Sequence, residues 1–500
     1  MLSNIFRGGI HIPNPYPVKN PKIVKVPPPE KAVLILQQKV GGQAKPCVEV
    51  GDKVLTGQVI AGTSSQYCVP IHASISGTIS AIDKQPIPHP SGIDAMCITI
   101  ESDGKDKWVE KEECGADFLS CKPEQIIDKI RSAGIVGMGG AGFPTHIKVS
   151  SVKNANTLVV NATECEPGIM CDDSLMQNYP REIIRGTEIL LHACSAKKAI
   201  IAIEDDKQEA FNSLLMYNHN DKITIQRIPT KYTSGADKLL IKSLLDVEVP
   251  AGKHPSDIGV LCHNVGTVKA IHDAVIDGRP LVSRIVTVTG SGVEDPKNYE
   301  ARLGTSFASV VSQSKPNKQK HKIRMGGMMM GVDVNSDQYS ICKITNCIFI
   351  NNFEPEPQVN ECIRCSSCNQ VCPINLLPQQ LYWSSKSESI DKALEYNLDN
   401  CIECGCCSYV CPSNIPLVDY FVFAKAVNKK QINDAERADI ARQRFEYREF
   451  RIERNMSERA EMMAKKKKAL KEKMAKEKQQ KDKIADAIQR VSKSKENKDA

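Results

Sequence analysis

The chain has 500 residues with 41% apolar content, too long for one hydrophobic core, and at about 100–200 residues per domain it holds three to five. Its net charge of +7 belongs to the end of the chain: residues 461–500 carry 14 Lys/Arg against 7 Asp/Glu, leaving 52 of each in the first 460, so no basic nucleic-acid-binding face is expected on the folded body. No stretch reaches the roughly 18 apolar residues needed to span a bilayer, so a soluble or peripheral protein is expected.

Residues 1–30 are punctuated by Pro13, Pro15, Pro17, Pro21 and Pro27-Pro28-Pro29. Proline fixes φ and biases its predecessor toward extended backbone, so an extended strap is expected. The opening MLSNIFRGGI, with its lone Arg7, lacks the apolar run of a secretory signal. The twenty cysteines are therefore not expected to form a disulfide framework, and Cys47, Cys97, Cys194 and Cys262 read as small buried apolar residues.

Residues 31–115 predict a β domain, with runs such as Ala32–Leu36, Val54–Ile60 and Ile79–Ile82 between Gly-Asp and Ser-Gly turns. VGDKVLTGQVIA (50–61) and HASISGTISAI (72–82) resemble the sandwich-hybrid half-motifs of biotinyl and lipoyl carrier domains. The lysine such a carrier needs is missing from Gly62–Ile71, so a scaffold is expected.

Residues 120–250 alternate helical segments (Pro123–Ala133, Pro180–Cys194, Glu209–Tyr217, Ala236–Leu245) with strands (Thr157–Asn161, Ala199–Ile203, Thr224–Arg227). That rhythm predicts an α/β domain. Residues 255–335 return to short strands, such as Arg284–Thr289 before Gly290-Ser291-Gly292, and predict a small β domain. Residues 350–425 hold the dense cysteines. Residues 426–500 turn polar and basic, a solvated helix or a disordered tail. No aromatic residues interleave the lysines after Lys465 to form a stacking platform, which argues against nucleic acid as a partner.

Cys362-x2-Cys365-x2-Cys368-x3-Cys372-Pro373 is followed by Cys401-x2-Cys404-x2-Cys407-x3-Cys411-Pro412. Two such runs fit a ferredoxin-like domain with two [4Fe–4S] clusters, in which the fourth cysteine of each run ligates the other cluster. One cluster then takes Cys362, Cys365, Cys368 and Cys411, and the other takes Cys372, Cys401, Cys404 and Cys407. Cys406 is a spare. Tetrahedral zinc is the competing reading.

Ile135–Lys148 reads IVGMGGAGFPTHIK. Gly137, Gly139, Gly140 and Gly142 let backbone N–H groups approach a phosphate, and Lys148 adds charge. The loop is neither the dinucleotide fingerprint nor a Walker loop, and a turn needed only for packing stays open on spacing alone. Strand-like Val159–Asn161 then runs into Glu164, Glu166 and Pro167, and strand ends in open α/β sheets are where ligands bind.

GMGGAGFPTHIK resembles the GRGGAGFPTG loop of the flavin-bearing, NADH-oxidising subunit of respiratory complex I. NATECEPG resembles that family's acidic segment, and YTSGADK (232–238) and HNVGT (263–267) stand where two further flavin-site segments fall. With MGGMMMG (325–331) and the paired cysteine runs, residues 5–425 resemble the family of C subunits of Rnf/Rsx ion-translocating oxidoreductases. The resemblance implies two [4Fe–4S] clusters, FMN, and NADH as electron donor. It implies membrane-embedded and flavin-bearing partner subunits, and a peripheral place on the cytoplasmic side of the cell inner membrane, where electron flow drives ion translocation. It also implies a β-grasp domain after the flavin domain. Gly137, Gly139, Gly140, Gly142 and Lys148 match the flavin loop, Asn161, Glu164 and Glu166 the residues near isoalloxazine and nicotinamide, and Asn264 a phosphate-holding Asn. Met138, His146 and Gly235-Ala236-Asp237 depart from the family pattern.

Overall fold

A computed structural model describes residues 6–496, apart from 38–39, 64, 90, 111–116, 153–154 and 356. The expected start of the strap at residues 1–5, the end of the expected first β domain at 115, and the last residues of the tail at 497–500 lie outside the described residues. The chain forms two compact units, Met1–Ala424 and Lys425–Ala500.

In the first unit, two antiparallel sheets enclose the N-terminal core. Strands Lys31–Ile35, Asp94–Ser102, Gly77–Pro86 and Lys53–Val54 form one, and Lys45–Pro46, Val59–Gly62 and Ile71–His72 the other. Alternation in Lys31–Ile35 buries Ala32 and Leu34, which join Ile60, Ile79, Ile98 and Ile100 inside. The packing leaves no room for a side chain at Gly77, whose Cβ would lie 1.9 Å from the Glu101 carbonyl oxygen.

The α/β layer is a four-stranded, wholly parallel sheet in the order Ile223–Ile228, Lys198–Glu204, Thr157–Ala162, Val260–Asn264. Thr157–Ala162 is buried along its whole length. Parallel strands covered by helices on both faces need such continuous burial. The expected boundary at 250–255 is therefore wrong. Val260–Asn264 pairs with Thr157–Asn161, and helix Val265–Val275 packs against Pro180–Ala193, so both belong to the α/β layer.

The next sheet is mixed, in the order Val24–Lys25, Lys297–Arg302, Ser283–Thr289, Cys347–Asn352, His321–Met325, Val332–Val334. It draws one strand from the proline-rich strap and one from beyond residue 335, past the end expected for this domain. Tyr299, Val286, Val288 and Ile348 fill its buried face.

Residues 359–424 are helical and looped: short helices Ser367–Val371 and Cys406–Tyr409 follow the cysteine turns, and Pro378–Lys386 and Ile390–Glu395 lie between. Helix Leu417–Glu496 begins here, and its residues from 425 onward form the second unit. Among the described residues no helix is long and apolar enough to cross a membrane. Of the four cysteines expected to be buried, Cys97, Cys194 and Cys262 are, but Cys47 is exposed because it sits beside the short edge strand Lys45–Pro46.

Candidate functional site

The eight motif cysteines line two small cavities, and the membership crosses the sequence. Cys362, Cys365, Cys368 and Cys411 line one; Cys372, Cys401, Cys404 and Cys407 line the other, with Cys406 beside them. The two halves repeat their backbone. Arg364 and Glu403 (φ 58° each), Ser366 (63°) and Gly405 (80°), and Asn375 (54°) and Asn414 (52°) all occupy the left-handed region at matching places. Such turns aim successive N–H groups inward. Glu403 N–H donates to Cys401 Sγ at 3.4 Å, and Leu376 N–H to Cys372 Sγ at 3.3 Å.

Donor spacing separates the two readings of these thiols. Zinc at about 2.3 Å from four sulfurs requires them within about 3.8 Å of one another. Among the described residues, the groups of three or more Cys, His, Asp or Glu ligand atoms within 4.8 Å are Glu164/Cys171/Asp172 and His272/Asp273/Asp277. Neither thiol quartet is that tight. A single tetrahedral ion would need the sulfurs of a quartet drawn closer together than they stand. The inner cup is the more enclosed: Cys372, Cys404 and Cys407 are buried, while Cys365 of the outer cup is exposed.

A third cavity, of about 370 Å³, opens at the strand ends of the parallel sheet. Gly137, Gly139 and Lys148 line it from the glycine-rich loop, Asn161, Glu164 and Glu166 from the segment after the first strand, and Asn264 from the start of its helix. Gly140 and Gly142 are not among its walls. Gly142 N–H instead closes the turn onto the Gly137 carbonyl at 3.1 Å, and Gly140, at φ +101°, has open space where a Cβ would stand.

Most of the expected polar residues have partners within the chain. Glu164 accepts from the N–H groups of Asp172 (2.8 Å) and Asp173 (3.0 Å), capping helix Cys171–Asn178. Burial, reinforced by Asp172, pushes its carboxyl well above the usual range. Glu166 accepts from Met329 and Met330 N–H at 2.9 and 2.7 Å, which explains the MGGMMMG turn: a Cβ on Gly327 would lie 2.5 Å from the Glu166 carboxyl carbon. Asn161 Nδ2 donates to the Gly235 carbonyl at 2.8 Å. Asn264 Nδ2 donates to Asp172 at 2.6 Å while its Oδ1 caps Gly266 N–H at 2.9 Å. Lys148 pairs with Asp237 at 3.5 Å.

Other groups on the walls are unpartnered. Thr145 Oγ1, Thr233 Oγ1 and His263 Nε2 are buried, line this cavity, and have no hydrogen-bond partner. Burial holds His263 well below its ordinary pKa, with Lys148 adding to the effect, so its ring is neutral. Buried polar atoms are ordinarily paired, and three orphans on residues lining one cavity fit a region built for a polar ligand. Thr233 and His263 stand inside the YTSGADK and HNVGT segments, but nothing in spacing distinguishes them from their neighbours. The far wall is formed by Tyr232, Ile402 and Cys404, so the cavity and the inner thiol cup share a side.

Comparison with known proteins matches residues 4–105 to the RnfC barrel sandwich hybrid domain, 130–273 to the Nuo51 FMN-binding domain, and 361–415 to the 4Fe-4S dicluster domain. The C subunit of the ion-translocating oxidoreductase complex of Haemophilus influenzae (strain PittEE) is 43% identical over 90% of this chain and 70% of its own length. That of Vibrio cholerae serotype O1 (strain O395) is 42% identical over 98% of this chain, which spans 64% of that relative's length. A chain of an NAD+-reducing [NiFe]-hydrogenase, solved in the H2-reduced state, aligns over 63% of this chain and 62% of its own at TM-score 0.44 and 19% identity, too distant to carry functional weight.

A barrel-sandwich match, an FMN-binding-domain match and a dicluster match on one chain define a multidomain protein of the flavin and iron–sulfur type. The chain belongs to the family of C subunits of ion-translocating oxidoreductase complexes.

Proposed function

We propose that this chain is an electron-transfer subunit of an ion-translocating oxidoreductase complex, taking electrons from NADH at an FMN site and passing them through two [4Fe–4S] clusters. The observation that carries the reading is the shared wall: Cys404 and Ile402 line both the strand-end cavity and the inner thiol cup. FMN, when bound, exchanges a two-electron hydride donor for one-electron acceptors, and the clusters, when bound, relay single electrons. Gly137, Gly139, Lys148, Asn161, Thr145, Thr233, His263 and Asn264 are the residues on this cavity that hold the flavin, and Glu164 and Glu166 hold the loops that shape it. Gly140 and Gly142 keep the loop's turn. The chain's own work is to bind, orient and exclude water, and to keep the cup against the cavity.

Cys362, Cys365, Cys368 and Cys411 hold the outer cluster, and Cys372, Cys401, Cys404 and Cys407 the inner one. Cys365 and its neighbour Ile363 (67% exposed) bring the outer cup to the surface, where an acceptor would approach the cluster it holds. The acceptors are membrane-embedded and flavin-bearing subunits of the complex, which hold the chain peripherally at the cytoplasmic face of the inner membrane. The mixed sheet with helix Phe307–Val311 serves as the β-grasp unit joining flavin and cluster regions. Anaerobic purification with iron, sulfide and flavin measured together tests this reading. About eight irons and one FMN per chain support it; iron without flavin would make the chain a flavin-free relay.

A further inference from the structure

The N-terminal strap passes between the cavity wall and the inner cup. Gly9 N–H donates to the Val371 carbonyl at 2.8 Å, one residue before the ligand Cys372. Ile10 exchanges both backbone hydrogen bonds with Tyr232, at 2.8 and 3.0 Å. Tyr232 lines the cavity and its hydroxyl donates to the Cys404 carbonyl at 2.7 Å. Ile10 and Ile12 pack with Tyr232, Cys404 and Cys406 in one small apolar cluster, and the Lys231 ammonium sits 5.1 Å over the Phe6 ring.

The passage has no room for side chains. A Cβ on Gly8 would stand 2.4 Å from the Cys372 carbonyl oxygen, and one on Gly9 2.6 Å from that of Tyr232; both glycines have positive φ, +70° and +72°. Two consecutive residues that only glycine satisfies, each facing backbone on a different side, are more than a loose leader requires.

We propose that Gly8-Gly9-Ile10 is a positioning clamp, seating the inner cup on Tyr232 and so setting the gap that electrons cross from the cavity to Cys404. The clamp rests on the proposed electron-transfer function and adds to it residues that ligate nothing themselves but lie against the backbone of Cys372. The electrons balance without a further acceptor. One hydride brings two, each loaded cup takes one, and the donor leaves oxidised with a proton released to solvent. Electron transfer between fixed sites weakens steeply as the gap widens, so the seating of the cup bears directly on its rate.

The test uses the full chain purified anaerobically, with Gly8→Ala and Gly9→Ala, and Gly62→Ala as a control because a Cβ there meets nothing. Amide exchange at Ile10, Tyr232 and residues 368–376 should quicken at least about tenfold in both strap variants and not in the control. Iron, flavin content and flavin bleaching by NADH should hold, dithionite should still reduce both clusters, and NADH-driven cluster reduction should slow severalfold. Unchanged exchange and unchanged cluster reduction in both variants would overturn the clamp. If the glycine variants lose iron, Phe6→Ala loosens the strap by removing its buried ring and the Lys231 contact without touching Cys372, and should shift exchange the same way; no shift would overturn the proposal. A wild-type chain lacking flavin would refute the proposed function while leaving the exchange measurement to decide the clamp.

Discussion

Replacing His263 with Phe should move two properties in opposite directions. His263 is 4% exposed, its Nε2 has no partner, and it lines the strand-end cavity. A buried polar atom left unpaired costs about 1–3 kcal/mol. Phe keeps a ring in the same place and removes that cost, so the flavin-free, cluster-loaded protein should gain on the order of 1 kcal/mol, or about 1 °C in melting midpoint for a unit of this size. The same change deletes a hydrogen bond that the flavin would complete, so FMN affinity should fall about tenfold, equivalent to about 1.4 kcal/mol. Melting of the flavin-free protein and quenching of FMN fluorescence on titration read the two effects separately. A variant that melts lower and binds FMN as tightly as the parent would make His263 an ordinary core residue and refute the reasoning.

Cys411→Ala should remove about four of eight irons and abolish the signal of the outer cluster, whose other ligands lie in the first run; loss of the cluster held by its sequence neighbours Cys401, Cys404 and Cys407 would contradict the crossed ligand sets. Cys406→Ala should leave both clusters in place by iron analysis and EPR. Glu204, 1% exposed and accepting from Glu164 N–H at 3.1 Å, is pushed up to about 7 by burial. Between its unfolded value of about 4.3 and its folded one, the native state holds a proton that the unfolded chain releases, so stability falls as pH rises through that window, by on the order of 3 kcal/mol. Glu204→Gln should flatten the fall in melting midpoint between pH 5 and pH 8; an unchanged slope would assign the dependence elsewhere.

The grouping of the cysteines around two cavities was legible because short spacings wrap a turn, and only the fourth thiol of each group comes from the other run. The strand ends around Asn161 and Asn264 were legible as parts of motifs. Domain limits were less so. Val260–Asn264 is a short apolar run whose partner strand lies about a hundred residues upstream, and nothing local says whether such a run closes one sheet or opens the next. The roles of the two glutamates were hidden for the same reason. Glu166 is satisfied by Met329 and Met330, 163 and 164 residues on, while Glu164 caps a helix only a few residues downstream. Thr145, Thr233 and His263 show themselves only as atoms left without partners, a property of packing that no spacing carries. The strap was legible from its prolines, but the need for its glycines shows only in the backbone of Cys372 and Tyr232 on either side.

The central claim is that the cavity and the inner thiol cup form one electron path. Anaerobic protein carrying FMN and both clusters, mixed with NADH and frozen for EPR, tests it most directly, with dithionite-reduced protein as the full-reduction standard. NADH should reduce the clusters in the intact chain, and Cys404→Ala should leave NADH bleaching of the flavin in place while abolishing that reduction. Clusters that accept electrons from dithionite but stay oxidised with NADH in the flavin-loaded parent would contradict it.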